Sequence, residues 1–212
     1  FPIECLLVDA DDNVITEVSG YGDRTSPGQT IAWELSGSQI EAAINAGAIS
    51  TECISIASLD GSASSSGSSS GASVEGELTS VGRSGFVTYD SLGETRASVG
   101  VEVTNNSDED LFFTEVTFNV LDSGGAPVAT ESSYLDVIPA GETVIAGGRV
   151  STDLTDSLPV TVEITVFAEE DSFFETEWAY MEIGPEVEIS TDGFRPSVTG
   201  TLTNPTDQPV DL

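Results

Sequence analysis

The chain has 212 residues, 37 of them Asp or Glu against 5 basic ones, for a formal charge of −32. All five cations are arginines (Arg24, Arg83, Arg96, Arg149, Arg195), and Lys and His are absent. That balance excludes phosphate-backbone recognition, which needs clustered cations, disfavours anionic membrane surfaces, and removes the usual general base of hydrolases.

An apolar content of 38% is enough to build packed cores, and the length suits one large domain or two of about 100 residues. The chain opens on a strand-like segment with no leader pattern, which reads either as a removed leader or as a cut from something longer. No apolar run approaches the ~20 residues of a membrane span. Cys5 lies on this first strand and Cys53 on a later one, both expected to face one core. A disulfide across the two sheets fits an oxidising exterior, and its loop of about 50 residues is worth roughly 4 kcal/mol on the chain-entropy model. The alternative is two buried thiols.

Asp9-Ala-Asp-Asp-Asn13 resembles the start of a calcium loop. Val14 stands where that loop needs Gly, and Gly20 takes the place of its final Glu, so no metal is assigned. Ser38–Asn45 has helical periodicity, with Ser38 as the expected cap, Glu41 three residues on, and Gly47 as the stop. Residues 58–84 read as a linker around the tract SASSSGSSSGAS.

From 85 to 168 the texture is β throughout. Apolar and polar residues alternate in Val99–Val103, Val116–Val120 and Val160–Val166, with turn clusters at Asn105–Asp108, Ser123–Gly125 and Pro139–Gly141. Asn105-Asn106-Ser107 is a glycosylation sequon, and Asn105 is the candidate acceptor; Pro205 blocks the matching Asn204-Pro205-Thr206. Residues 169–186 carry Phe173, Phe174, Trp178 and Tyr180. They are too aromatic for a free tether and read as a strand packed on a sandwich or as a partner-binding platform.

The segment RASVGVEVTNNSDEDL at 96–111 returns as RPSVTGTLTNPTDQPV at 195–210. The second copy stops at Leu212, and its continuation stands at the chain start. Asp122 falls on Asp9, Val-Ala-Thr-Glu of 128–131 on Val-Ile-Thr-Glu of 14–17, and residues 159–168 on 50–57. Leu212 followed by Phe1 reads without a gap. The expected architecture is therefore all-β, two tandem immunoglobulin-like sandwiches. One is complete (85–168). The other is split into 1–57 and 187–212, and the aromatic segment 169–186 connects the complete copy to the second part. A sandwich stripped of its first strands exposes an open edge and core. The split copy must be completed by a neighbouring copy, in a tandem array or by strand addition, or within the chain by circular permutation.

The complete copy resembles the FxLyD family of small extracytoplasmic β-sandwiches. The residues that carry this are the strand Val99 to Asn106, the run Phe118-Asn-Val-Leu-Asp122-Ser-Gly-Gly, and the Pro139-Ala-Gly141 turn. The split copy keeps Asn204, Asp9 and Pro27-Gly28 but has Cys5 in place of Phe118. The resemblance implies a binding or structural module without catalysis. Abundant carboxylates without Lys also resemble the proteins of extremely halophilic archaea. Such a chain repels itself at low salt, and the ~3 Å Debye length of molar salt screens it. The expected function is a structural subunit or repeat of a cell-surface filament, pilus-like fibre or adhesin, whose partners are other copies of itself joined head to tail. The alternative is a secreted or anchored monomeric binding module. No cofactor and no enzymatic activity are expected.

Overall fold

The computed structural model describes residues 2–22, 24–59, 78–168, 177–191 and 195–210. The strands are β1 (Pro2–Val8), β2 (Val14–Tyr21), β3 (Thr30–Ser36), β4 (Ser50–Ile54), β5 (Ile56–Ser58), β6 (Thr79–Ser91), β7 (Glu94–Asn105) and β8 (Leu111–Leu121). They continue with β9 (Pro127–Ile138), β10 (Thr143–Val150), β11 (Thr161–Phe167), β12 (Trp178–Tyr180), β13 (Glu182–Ile183), β14 (Glu188–Ser190) and β15 (Ser197–Thr203). One helix, α1 (Ser38–Asn45), interrupts them. The fold is all-β and every strand pairing is antiparallel.

Among the described residues there are five sheets, of which four form two pairs and the fifth joins β12 to β5. Sheets β10-β7-β6 and β11-β8-β9 enclose a core of Val99, Val101, Val103, Val116, Phe118, Leu135, Ile138 and Val144. Along β8 every second residue from Thr114 to Val120 is buried, the period expected of a strand with one face on a core. The second pair is β2-β1-β4 and a sheet in which β15 pairs with β3 on one edge and with β13 and β14 on the other. Its core joins Ile3, Cys5, Leu7 and Val18 to Trp33, Leu35, Val198, Leu202 and Val210. Residues from the two ends of the numbering thus share one core within one chain.

The strand pairings of the two pairs match at corresponding positions. Thr203 faces Thr30 and Ser197 faces Ser36, as Thr104 faces Thr143 and Ser98 faces Arg149. The paired hydroxyls meet at 2.7 Å in one sheet and 2.8 Å in the other. The β1–β2 ladder bulges between Leu7 and Val8, and the β8–β9 ladder bulges between Val120 and Leu121. This places Val14 on Pro127, so the Val-Ile-Thr-Glu match made from sequence is out by one residue. A one-residue slip moves every side chain to the other face; here the equal length of the two Asp turns sets the register. Pro2 faces Tyr21 as Glu115 faces Tyr134, and Val210 bridges Thr25 as Leu111 faces Ile138. Val210 and Pro2 therefore stand where β8 carries Leu111 and Glu115.

Three boundaries differ from the sequence reading. β6 starts at Thr79, inside the span read as linker, because it pairs along the whole of β7. β13 and β14 take the place along β15 that β6 takes along β7, and β13 (Glu182–Ile183) lies inside the span read as connecting segment. Helix α1 has Gly37 at its N-cap, and Ser38 is its first turn, with no side-chain cap. Its far end closes as expected: Gly47 (φ 108°) donates to Ile44 O at 3.0 Å and Ala48 to Ala43 O at 2.9 Å, a Schellman motif. Among the described residues no helix is long and apolar enough to cross a membrane.

Candidate functional site

Cys5 and Cys53 are directly opposed on β1 and β4, with Cα atoms 4.1 Å apart, and form a disulfide. It joins neighbouring strands of one sheet, not the two sheets. The pair replaces Phe118 and Ile164, which oppose each other in the complete copy. Two thiols on facing strand positions reach each other only sideways, along the sheet.

Asn105 is fully buried. Its Nδ2 donates to Glu109 O (2.8 Å) and Ile138 O (2.9 Å), and its Oδ1 accepts from Ser107 N (2.9 Å) and Ser107 Oγ (2.7 Å). Asn204 repeats the set with Gln208 O (2.9 Å), Thr25 O (3.3 Å), Thr206 N (2.9 Å) and Thr206 Oγ1 (2.8 Å). The motif is a side-chain staple of the turn. With both amide hydrogens engaged and the residue buried, the folded turn has no room for a glycan on Asn105, contrary to the sequon reading.

Asp9 spends its carboxylate on the backbone N–H of Asp11 and Asn13, both at 2.9 Å, and on the Asn13 amide. These bonds hold its pKa below the usual value. Asp122 does the same for Gly124 (2.8 Å) and Ala126 (2.9 Å). Among the described residues no group of three or more Asp, Glu, His or Cys is placed to hold a metal ion. Phe173 and Phe174 lie outside the described residues. Trp178 and Tyr180 stand on β12, which pairs with β5, and their rings meet edge to face at 5.5 Å. The Trp178 indole N–H donates to Asp110 Oδ2 at 2.7 Å, tying this strand to the complete copy.

The most built-up surface is the seam between the two sandwiches, which sequence reading missed. Sheet β2-β1-β4 lays its outer face on the outer face of β10-β7-β6. Leu6, Val8, Val14 and Ile145 are buried there, with Ile54 packed against them. Gly85, Gly100 and Gly147 stand side by side across β6, β7 and β10. A Cβ on Gly100 would lie 2.6 Å from Glu17 N and 2.7 Å from Thr16 C. One on Gly85 would overlap the Val14 carbonyl, and one on Gly147 the Glu17 carboxylate. The glycine row is a trough in which strand β2 sits. Glycine inside a strand pattern is a sign of close backbone approach, the one signal that pointed here.

At one end of the seam Arg83 binds three carboxylates: Asp12 at 2.9 Å, Glu52 at 2.6 Å and Glu102 at 2.5 Å. These come from the β1–β2 turn, β4 and β7, so one guanidinium spans both sandwiches. Hydrogen bonds from Arg83 hold Glu102 below the ordinary carboxylate range. Further along, Ser98 Oγ donates to Glu17 O at 3.3 Å. The Glu17 side chain is 2% exposed and its Oε1 has no partner. Desolvation pushes its pKa to about 7, against the pull of Ser19 and Arg149. Glu4, facing Ser19 across the ladder, is raised by desolvation and then by repulsion from Glu17 and Asp136.

No family model, curated protein or solved structure matched the chain.

Proposed function

We propose that the chain is a non-enzymatic structural module of a salt-adapted extracellular protein, in which two FxLyD-like sandwiches are locked into one stiff unit. The observation that carries this reading is the asymmetry of the seam. The face of the split copy that docks is apolar at Leu6 and Ile54, and the face that receives it is the glycine trough. The counterparts are polar: Asn119 and Thr165 stand for Leu6 and Ile54, and Glu34, Thr199 and Glu188 stand for Gly147, Gly100 and Gly85. Docking the reverse pair of faces would bury carboxylates without partners, at a cost of several kcal/mol. The contact closes after two sandwiches. The Cys5–Cys53 disulfide suits an oxidising compartment outside the cytoplasm.

A second reading, the head-to-tail filament subunit, rests on a different feature. Residues 195–210 enter the split sandwich as a discrete strand, and a second copy donating them would make the same pairing in trans. Light scattering in 3 M salt separates the two. The compact module runs as one species of 22.0 kDa. Large particles that electron microscopy resolves as fibres would replace it with the filament reading.

A further inference from the structure

We propose that Glu17 is a proton-operated latch between the two sandwiches, holding the seam shut when its carboxyl is protonated and loosening it when ionised. The geometry is the argument. Strand β2 lies in the glycine trough with its backbone tied to Ser98, and this leaves the Glu17 side chain 2% exposed with Oε1 unpaired. On β10, Gly147 leaves the space that the carboxyl fills, since a Cβ there would overlap it. A neutral acid is tolerated there. A carboxylate with one oxygen unsolvated and unbonded is not, and opening the seam returns it to water.

Burial acts against the polar groups around it. Glu4 on β1 is raised by its own burial and then by repulsion from Glu17 and from Asp136 on β9. From β10, Arg149 attracts it, and on its own strand Ser19 donates a hydrogen bond. The Arg83–Glu102 pair on β6 and β7 is already committed to Glu52 and Asp12. The single attractive cation does not offset burial, and the closed-state pKa stands at about 7 against 4.5 for an ordinary Glu.

The sign follows from linkage. The closed seam holds a proton that the open seam releases, so closure is favoured in full below pH about 4.5. It weakens as pH rises and levels off above about 7. Within that window the opening constant rises about tenfold per pH unit.

Hydrogen exchange of the β2 and β10 amides in molar salt, corrected for intrinsic rate, tests this from pH 5 to 8.5. The wild type should open about a hundredfold more at the upper end; Glu17→Gln should lose most of that slope, and Glu4→Gln, at the other raised carboxyl, should keep it. A flat wild type, or a Glu17→Gln variant with the wild-type slope, overturns the latch. Should Glu17→Gln not fold, the carboxyl 13C shift of Glu17 in the wild type decides: a midpoint near 7 supports the latch and one near 4.5 overturns it.

Discussion

The same row of three sheet positions has opposite characters in the two sandwiches. In the complete copy it reads Gly85, Gly100, Gly147 and is covered by strand β2. In the split copy it reads Glu188, Thr199, Glu34 and lines an open groove of about 620 Å³. The strand pairings match at these positions, so the side chains distinguish the sheet face that accepts a neighbour. Absence of Cβ permits backbone to approach backbone, whereas a carboxylate keeps its water and holds the face clear.

The cores differ in the same way. Where the complete copy fills its centre with Phe118 against Ile164, the split copy covalently links Cys5 to Cys53. Phe118→Ala should carry the largest effect, about 3–5 kcal/mol from lost burial and cavity, read by urea unfolding in molar salt. Removing the disulfide with Cys5→Ala and Cys53→Ala should cost about 2–4 kcal/mol. If the disulfide variant loses much more than Phe118→Ala, the two centres are not equivalent.

The contrast between the glycine and glutamate rows is tested next. Gly100→Val should cost about 3 kcal/mol, because its side chain meets the backbone of Thr16 and Glu17. Thr199→Val, at the matching open position, should stay within about 0.5 kcal/mol. Equal losses at both positions would show that the trough is not what seats β2. Asn105→Ala and Asn204→Ala should each cost about 1–3 kcal/mol, since each leaves the same buried turn groups unpaired. A large gap between them would mean the turns differ in burial or stiffness. The smallest effect belongs to the Pro-Gly turns. Gly141 (φ 71°) and Gly28 (φ 68°) are left-handed with open space around them, so replacing either with Ala should cost about 1 kcal/mol.

Much of this organisation was legible in the chain itself. Alternation at period two announced the strands of 99–103 and 116–120. The Asn-x-Ser and Asn-x-Thr turns, the Asp turns and the Pro-Gly turns marked equivalent points of the two copies, because each depends on a local bond or a left-handed residue. Even the meeting of residues near the two ends of the numbering in one core could be read, since spacing between turns is a property of chain length. Short apolar words were less dependable: Val-Ile-Thr-Glu matched Val-Ala-Thr-Glu one residue out of register.

What the sequence by itself determined was the local and repetitive part: strand texture, turn chemistry, the recurring turn motifs and the acidic composition. Those follow from residue type and spacing along one chain. Only the tertiary structure decided which faces meet, that the disulfide runs along a sheet, that Asn105 is buried, and that Glu17 faces a row of glycines. Each of these brings together residues distant in the chain, and burial and electrostatics depend on that distance in space rather than in sequence.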